Sequence, residues 1–242
     1  MKKNIFTLLI FLFIASWFVS CEDKTPPADI TDSSTNTTSD VAPRIDDEAI
    51  KDDYRNTNRM IWQKPDLVIE FMGDISDKVI ADIGAGTGFF SFPLARKAKK
   101  VIAIDVDPGL VNYLDSAKVM ELPEYAQDRL EARLTPEEDP SLEAGEADII
   151  LMVNTYLYIR QKNGVAYLQK IKDALPEGGS ILIIDFKKKK LSRKGRQVRL
   201  SASQEVRVPL YQVELDLEEA GFQQIESDDK SLDFQYIVKA TK

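Results

Sequence analysis

No histidine occurs in the 242 residues, and cysteine occurs once, at Cys21. The first absence removes the usual His-based zinc sites, a Ser-His-Asp triad and a histidine general base. Any proton transfer must then fall to carboxylates, Lys, Tyr or water. The second absence rules out an intramolecular disulfide. Net positive charge is missing too. The formal charge is −8, a poor match for non-specific nucleic-acid binding, and no nucleic-acid partner is expected. The apolar run at the N-terminus, Ile5 to Val19, is 15 residues long, short of the about 20 that span a bilayer. What is present is 43% hydrophobic, enough for a substantial core in one large domain.

That N-terminal run follows Lys2 and Lys3 and matches the apolar region of a secretory signal. It ends Phe18-Val19-Ser20-Cys21, which resembles a bacterial lipoprotein cleavage site, with Phe18 where leucine is usual. The resemblance implies that residues 1–21 form a signal segment and that Cys21 becomes the lipidated first mature residue. The protein would then be a membrane-anchored lipoprotein of the bacterial cell envelope. An uncleaved anchor with an incidental cysteine is the other reading, and either one tethers the domain. Residues 22–44 are rich in Thr, Ser, Asp and Pro and read as a disordered, solvated tether. The folded domain is expected over 45–242.

From Lys78 onward, apolar runs alternate with helical patterns. Strands are expected at Val79–Ile83, Val101–Ile104, Leu130–Leu134, Ala147–Val153 and Ser180–Phe186. Helices are expected over Phe89–Lys99, Pro108–Lys118, Gly164–Leu175 and Pro209–Ala220, with Asp107 capping the second ahead of Pro108. Near-continuous apolar strands separated by helices predict a parallel sheet covered on both faces. The final strands, Gln223–Ser227 and Phe234–Ala240, are joined through Ser227-Asp228-Asp229-Lys230, which predicts an antiparallel hairpin.

The motif with the most chemical content is Asp82-Ile83-Gly84-Ala85-Gly86-Thr87-Gly88. It follows a strand and opens a helix, as a nucleotide-binding loop must. Its glycines permit unusual dihedrals and close approach of a ligand to the backbone. The spacing is G-x-G-x-G. The dinucleotide fingerprint would place Phe89 where a small residue packs helix on strand, which disfavours NAD. The Gly-Lys-Ser/Thr of a phosphate-binding Walker loop is absent. Asp105 ends the second strand, 21 residues after Gly84, where a carboxylate can accept both ribose hydroxyls.

Asp82 to Gly88, Val101 to Pro108 and Leu175 to Asp185 together resemble the class I S-adenosylmethionine (SAM)-dependent methyltransferases. Trp62-Gln63-Lys64-Pro65, Glu138-Asp139-Pro140, Asn154-Thr155-Tyr156 and Ala220-Gly221-Phe222 resemble a bacterial subgroup of that family, which often has histidine where this chain has Leu157. The resemblance implies a Rossmann-like, doubly wound α/β sheet of seven strands, mostly parallel with one antiparallel C-terminal strand. It also implies SAM as cofactor and a set of roles. Gly84, Gly86 and Gly88 would line the methionine and ribose, and Asp82 would help hold the methionine amino group. Asp105 would bind the ribose, and Asp139, with Glu138 as second choice, would meet the adenine. Asn154 would lie beside the methyl donor. Tyr156, Tyr158 and Trp62 are either packing residues or acceptor contacts. Catalytic residues are not assigned, and no metal is expected.

A methyl group on a sulfonium is already activated, so the protein's task is to align a nucleophile and exclude water. Histidine is then not required. Lys187 to Lys190, with Arg193, Lys194, Arg196 and Arg199, leave the strand end where ligands bind in such sheets. They are either a solvated loop, or a site for an anionic small-molecule or lipid-like acceptor or for the headgroups of the tethering membrane. The function read from the sequence is methyl transfer to an unidentified acceptor; the alternative is a non-catalytic SAM-fold binding module of the cell envelope.

Overall fold

The computed structural model describes residues 57–187 and 207–242. The signal-like segment with Cys21, the tether, the start of the domain before Thr57 and the basic run beyond Lys187 lie outside the described residues.

Two short helices come first, α1 (Thr57–Gln63) and α2 (Pro65–Met72). They are followed by β1 (Val79–Ile83), α3 (Ser91–Ala95), β2 (Lys100–Asp105), α4 (Pro108–Glu121), α5 (Glu124–Gln127) and β3 (Leu130–Leu134). Then come β4 (Ile149–Val153), α6 (Tyr156–Ala174), β5 (Ser180–Phe186), α7 (Leu210–Glu219), β6 (Gln223–Asp228) and β7 (Gln235–Thr241). The strands form one seven-stranded sheet in the order β3-β2-β1-β4-β5-β7-β6. The pairs from β3 to β5 are parallel. β7 runs antiparallel to both β5 and β6, so it is the one reversed strand, as expected for this sheet. The strand order turns back on itself between β1 and β4. In open α/β sheets that is where a crevice opens beyond the strand C-termini.

Side chains along each strand point alternately to the two faces, and each face has its own core. Ile80, Val101, Ala103, Leu151 and Ile184 pack with residues of α2, α3 and α4. Ala81, Ile102, Met152, Ile183 and Val238 pack with residues of α6 and α7. β4 and β5 are buried at every position, which explains their unbroken apolar character.

Three local readings change. The helix expected over Phe89–Lys99 is helical only at Ser91–Ala95. Ala98 N–H bonds Leu94 O, and Lys99 and Lys100 already donate to Lys78 O, so the chain must turn early to enter β2. The helix expected from Gly164 is preceded by helical turns from Tyr156, joined across a kink at Asn163 (φ −159°, ψ 70°). The hairpin connection keeps its length but moves one residue along the chain, since β6 runs to Asp228 and β7 starts at Gln235. Asp228 belongs to β6, and its carboxylate accepts the N–H groups of Lys230 and Ser231.

The first turns of α6 are pinned by a buried contact. Tyr156 Oη donates to Asp216 Oδ2 of α7 at 2.8 Å, and Arg160 Nε reaches the same oxygen at 2.6 Å. Gln212 Nε2 donates to the other oxygen. Burial, reinforced by the bond to Asp216, holds the Tyr156 phenol protonated well above its usual range. Arg160 is partly exposed and adds little on its own. Asp216→Ala leaves a fully buried phenol O–H without its partner and should cost about 2–3 kcal/mol in urea unfolding, against about 1 for Tyr156→Phe. A loss under 0.5 kcal/mol for Asp216→Ala, on the order of an ordinary surface change, would show that α6 is held by packing alone.

Candidate functional site

The loop leaving β1 folds back over the end of β2, because Gly84 and Ala85 N–H both donate to Ile104 O. Gly84, Gly86 and Gly88 all have positive φ, at 78°, 57° and 82°. Two of them are also sterically obligatory. A Cβ on Gly84 would stand 2.2 Å from Thr155 Oγ1, and one on Gly88 would stand 2.6 Å from the Phe92 ring. At Gly86 nothing lies within 4 Å. The middle glycine therefore faces open space, as a cradle for a ligand against the backbone requires.

Asp105 holds this loop in place. Its Oδ2 accepts Gly86 N–H at 2.9 Å and its Oδ1 accepts Asp107 N–H at 3.0 Å. One carboxylate thus links the loop to the turn that opens α4. Each carboxylate oxygen has a further lone pair, so both can still accept a hydroxyl. Asp107 in turn caps α4, accepting Gly109 N–H at 2.8 Å, as the sequence predicts.

Asp82 sits beneath the loop, 3% exposed, and accepts Ser91 Oγ–H at 2.6 Å. Burial pushes its carboxyl up to about 6, against the Ser91 bond; Asp105 raises it further and Arg59 opposes. A cationic partner would restore the charged form.

A cleft of about 530 Å³ opens at the switch point. It runs from Gly84 and Asp105 past Val106 and Thr135 to Asn154 and Tyr158. A hollow of about 580 Å³ between α7 and β6 is larger, but it lies at the outer edge of the sheet, away from the glycine loop. Asn154 adopts φ 57°, which asparagine tolerates. Its N–H bonds Ile184 O, and its Oδ1 accepts Gln235 Nε2–H at 2.7 Å. Asp82 lies below the loop, while Gly84, Asp105 and Asn154 line one cavity.

Asp139 is placed differently. Its carboxylate pairs with Lys170 of α6 at 2.9 Å and accepts Ser141 N–H. Lys170 first, then that N–H, hold its carboxyl below the usual range. Glu137, not Asp139, lines the cleft, ion-paired with Lys162 of α6. Glu138 offers its backbone oxygen to Lys170. Thr135 and Glu137 follow β3 directly, so they emerge at the same sheet end as Asp105. That position was the available signal.

Of the aromatics, Tyr156 is buried against Asp216, whereas Tyr158 lines the cleft. Trp62 packs on Phe186 at 5.6 Å and Phe234 at 6.0 Å between ring centroids, forming a wall at the end of β5. Beside it Asp185 is 3% exposed, and burial raises its carboxyl to about 6. One of its oxygens takes Phe186 N–H, and this bond and the Leu157 N–H oppose the burial.

Residues 80–179 match the family described as "Methyltransferase domain". Among curated proteins, the probable ribosomal RNA small subunit methyltransferase A of Methanosphaera stadtmanae is 39% identical over 71 residues, 29% of this chain and 26% of that protein. The chain thus spans about a quarter of that relative. Among solved structures, a SAM-dependent methyltransferase from Aquifex aeolicus superposes with a TM-score of 0.67 at 23% identity, over 81% of this chain and 98% of the other. A putative SAM-dependent methyltransferase from Listeria monocytogenes gives 0.55 at 16%, over 75% and 97%. Residues 80–179 are thus similar to a methyltransferase domain, and the sheet has the Rossmann-like fold of the SAM-dependent methyltransferases on which it superposes.

An ionised Asp82 burdens the fold. Its carboxyl rises from 3.8 unfolded to about 6 folded, so the folded state binds the proton more tightly. Stability therefore falls as pH rises between about 4 and 6, by up to about 3 kcal/mol. Asp82→Asn should be more stable than wild type in urea unfolding at about pH 7.5, with the difference vanishing near pH 4. Asp185 supplies a slope of the same sign that stays. A variant less stable than wild type at neutral pH would show that the charge is compensated in the folded chain.

Proposed function

We propose that this chain is a membrane-tethered methyltransferase that uses SAM and acts on a small or lipid-like acceptor entering beside Asn154. The observation that carries the reading is the Asp105 carboxylate. It is fixed by Gly86 and Asp107 at the switch point, opposite an open glycine backbone. Bound there, SAM supplies a methyl group already activated on a sulfonium. Asp105 accepts the ribose hydroxyls, Asp82 faces the ammonium, and the Gly84–Gly88 backbone lets the cofactor lie close. Asn154, held by Gln235, and Tyr158 orient what enters at the donor end. With no histidine in the chain, an acceptor that must lose a proton gives it to a carboxylate, Lys, Tyr or water. The ribosomal RNA in the name of the curated relative is not carried over. The overlap is short, and the chain is acidic.

Calorimetry with SAM and S-adenosylhomocysteine tests the reading. Asp105→Ala should weaken SAM at least about tenfold, since charge-assisted bonds contribute about 1.5–3 kcal/mol each. Asp105→Asn, which keeps one acceptor oxygen, should be milder. A folded wild type that binds neither ligand leaves the fold as a bare scaffold.

The tether rests on the signal-like start and the position of Cys21. Cys21→Ser should release the protein from membranes or leave its precursor unprocessed, followed by fractionation and acyl labelling. Acyl labelling that persists in this variant refutes the lipid anchor.

A further inference from the structure

We propose that α1 is a membrane-contacting helix, whose Met60 and Ile61 seat in the surface of an anionic lipid bilayer beside the cleft. This rests on the reading that the chain is tethered through Cys21. Met60 is 52% exposed and Ile61 70%, and the two are consecutive on one helix. The other side of α1 belongs to the fold. Trp62 packs on Phe186 and Phe234, and Gln63 is fully buried. Phe186 is the last residue of β5, so α1 stands at the sheet end where the cleft opens. Large apolar side chains grouped on a surface mark a contact. The occupant is chosen by charge and by position in the chain.

Two other groups of exposed apolar side chains differ from α1 in their charge. Val119, Met120 and Tyr125 alternate with Glu121, Glu124 and Asp128. They also lie at the opposite sheet end, because α4 leaves the end of β2 and the chain returns to the start of β3. Tyr211 and Leu215 stand among Glu214, Glu218 and Glu219. No residue from Thr57 to Pro65 is acidic, in a chain with 40 Asp and Glu. Asp233, which approaches the end of α1, is paired with Lys64 at 3.7 Å. Anionic headgroups repel carboxylates, and burying a carboxylate at their boundary is costly. Of these three surfaces, α1 is the one such a bilayer accepts. Thr57 also follows Cys21 by only 36 residues. Two side chains do not hold a domain on a membrane. Joined to an anchor, their contact becomes intramolecular, so a weak affinity is enough to orient the domain. Seating α1 brings the cleft to the lipid, which suits a lipid-like acceptor.

The test uses the full chain carrying Trp17→Phe, so that Trp62, next to Ile61, is its one tryptophan. It is reconstituted with vesicles of phosphatidylglycerol and phosphatidylethanolamine, with and without brominated acyl chains, which quench tryptophan only at short range. This parent chain should float with the vesicles, and its fluorescence should fall at least twofold in the brominated ones. Adding Met60→Ser with Ile61→Ser should leave flotation unchanged and abolish the quenching. Ile61→Asp alone stands in if the double variant melts. Met120→Ser, which removes a side chain 90% exposed at the far sheet end, should be quenched like the parent. A parent chain that floats unquenched, or α1 variants quenched as strongly as the parent, overturns the seat of α1 and leaves the tether standing. A chain that does not float overturns the tether, and this proposal with it.

Discussion

One carboxylate does most to give the cleft its shape. Asp105 accepts an N–H from the glycine loop and another from the turn that opens α4. The loop is thereby tied to β2, which is hydrogen-bonded to β1 below it. Without that link, Gly86 would have a positive φ and open space beside it but nothing to hold its backbone. The steric closure of Gly84 on Thr155 does the same on the other side, bringing the β1 and β4 loops together. Between these two contacts the cavity has little freedom to change width.

The electrostatic design follows from that closeness. Asp82 and Asp105 are both nearly buried within one loop of each other, an arrangement that is unfavourable in a resting protein. Ser91 and Arg59 relieve it only in part. The site therefore resembles many binding sites, in which local groups are held ready for a ligand at some cost to the fold. At the other end, ion pairs Lys162–Glu137 and Lys170–Asp139 fasten the segment after β3 to α6. They are exposed and contribute little stability, but they set where Glu137 and Thr135 stand.

The central strands were legible in the sequence because their burial is nearly continuous. Val79–Ile83 and Ser180–Phe186 carry no competing pattern, and each begins and ends where the sequence places it; the partly buried Leu130–Leu134 also keeps its bounds. Gly84, Asp105 and the Asp107 cap were legible because their chemistry is local: a backbone that only glycine tolerates, a strand-end carboxylate, an Asp-Pro start. What was not legible depends on tertiary partners. Nothing local in Glu138-Asp139-Pro140 says that Asp139 turns to a lysine 31 residues later. The turns from Tyr156 to Lys162 owe their position to Asp216, 60 residues away. Trp62 meets Phe186 and Phe234 only when α1 folds against the end of β5, a contact that no periodicity encodes.

The reversed strand has a consequence for the order in which the site is completed. β7 is inserted between β5 and β6, and its Gln235 supplies the partner that holds Asn154. A nascent chain that has emerged only through β5 already contains the glycine loop, Asp105 and the parallel part of the sheet. It lacks the group that orients the donor end of the cleft. The glycine loop and Asp105 thus draw only on the first part of the chain, whereas the fixing of Asn154 waits on a residue near its C-terminal end.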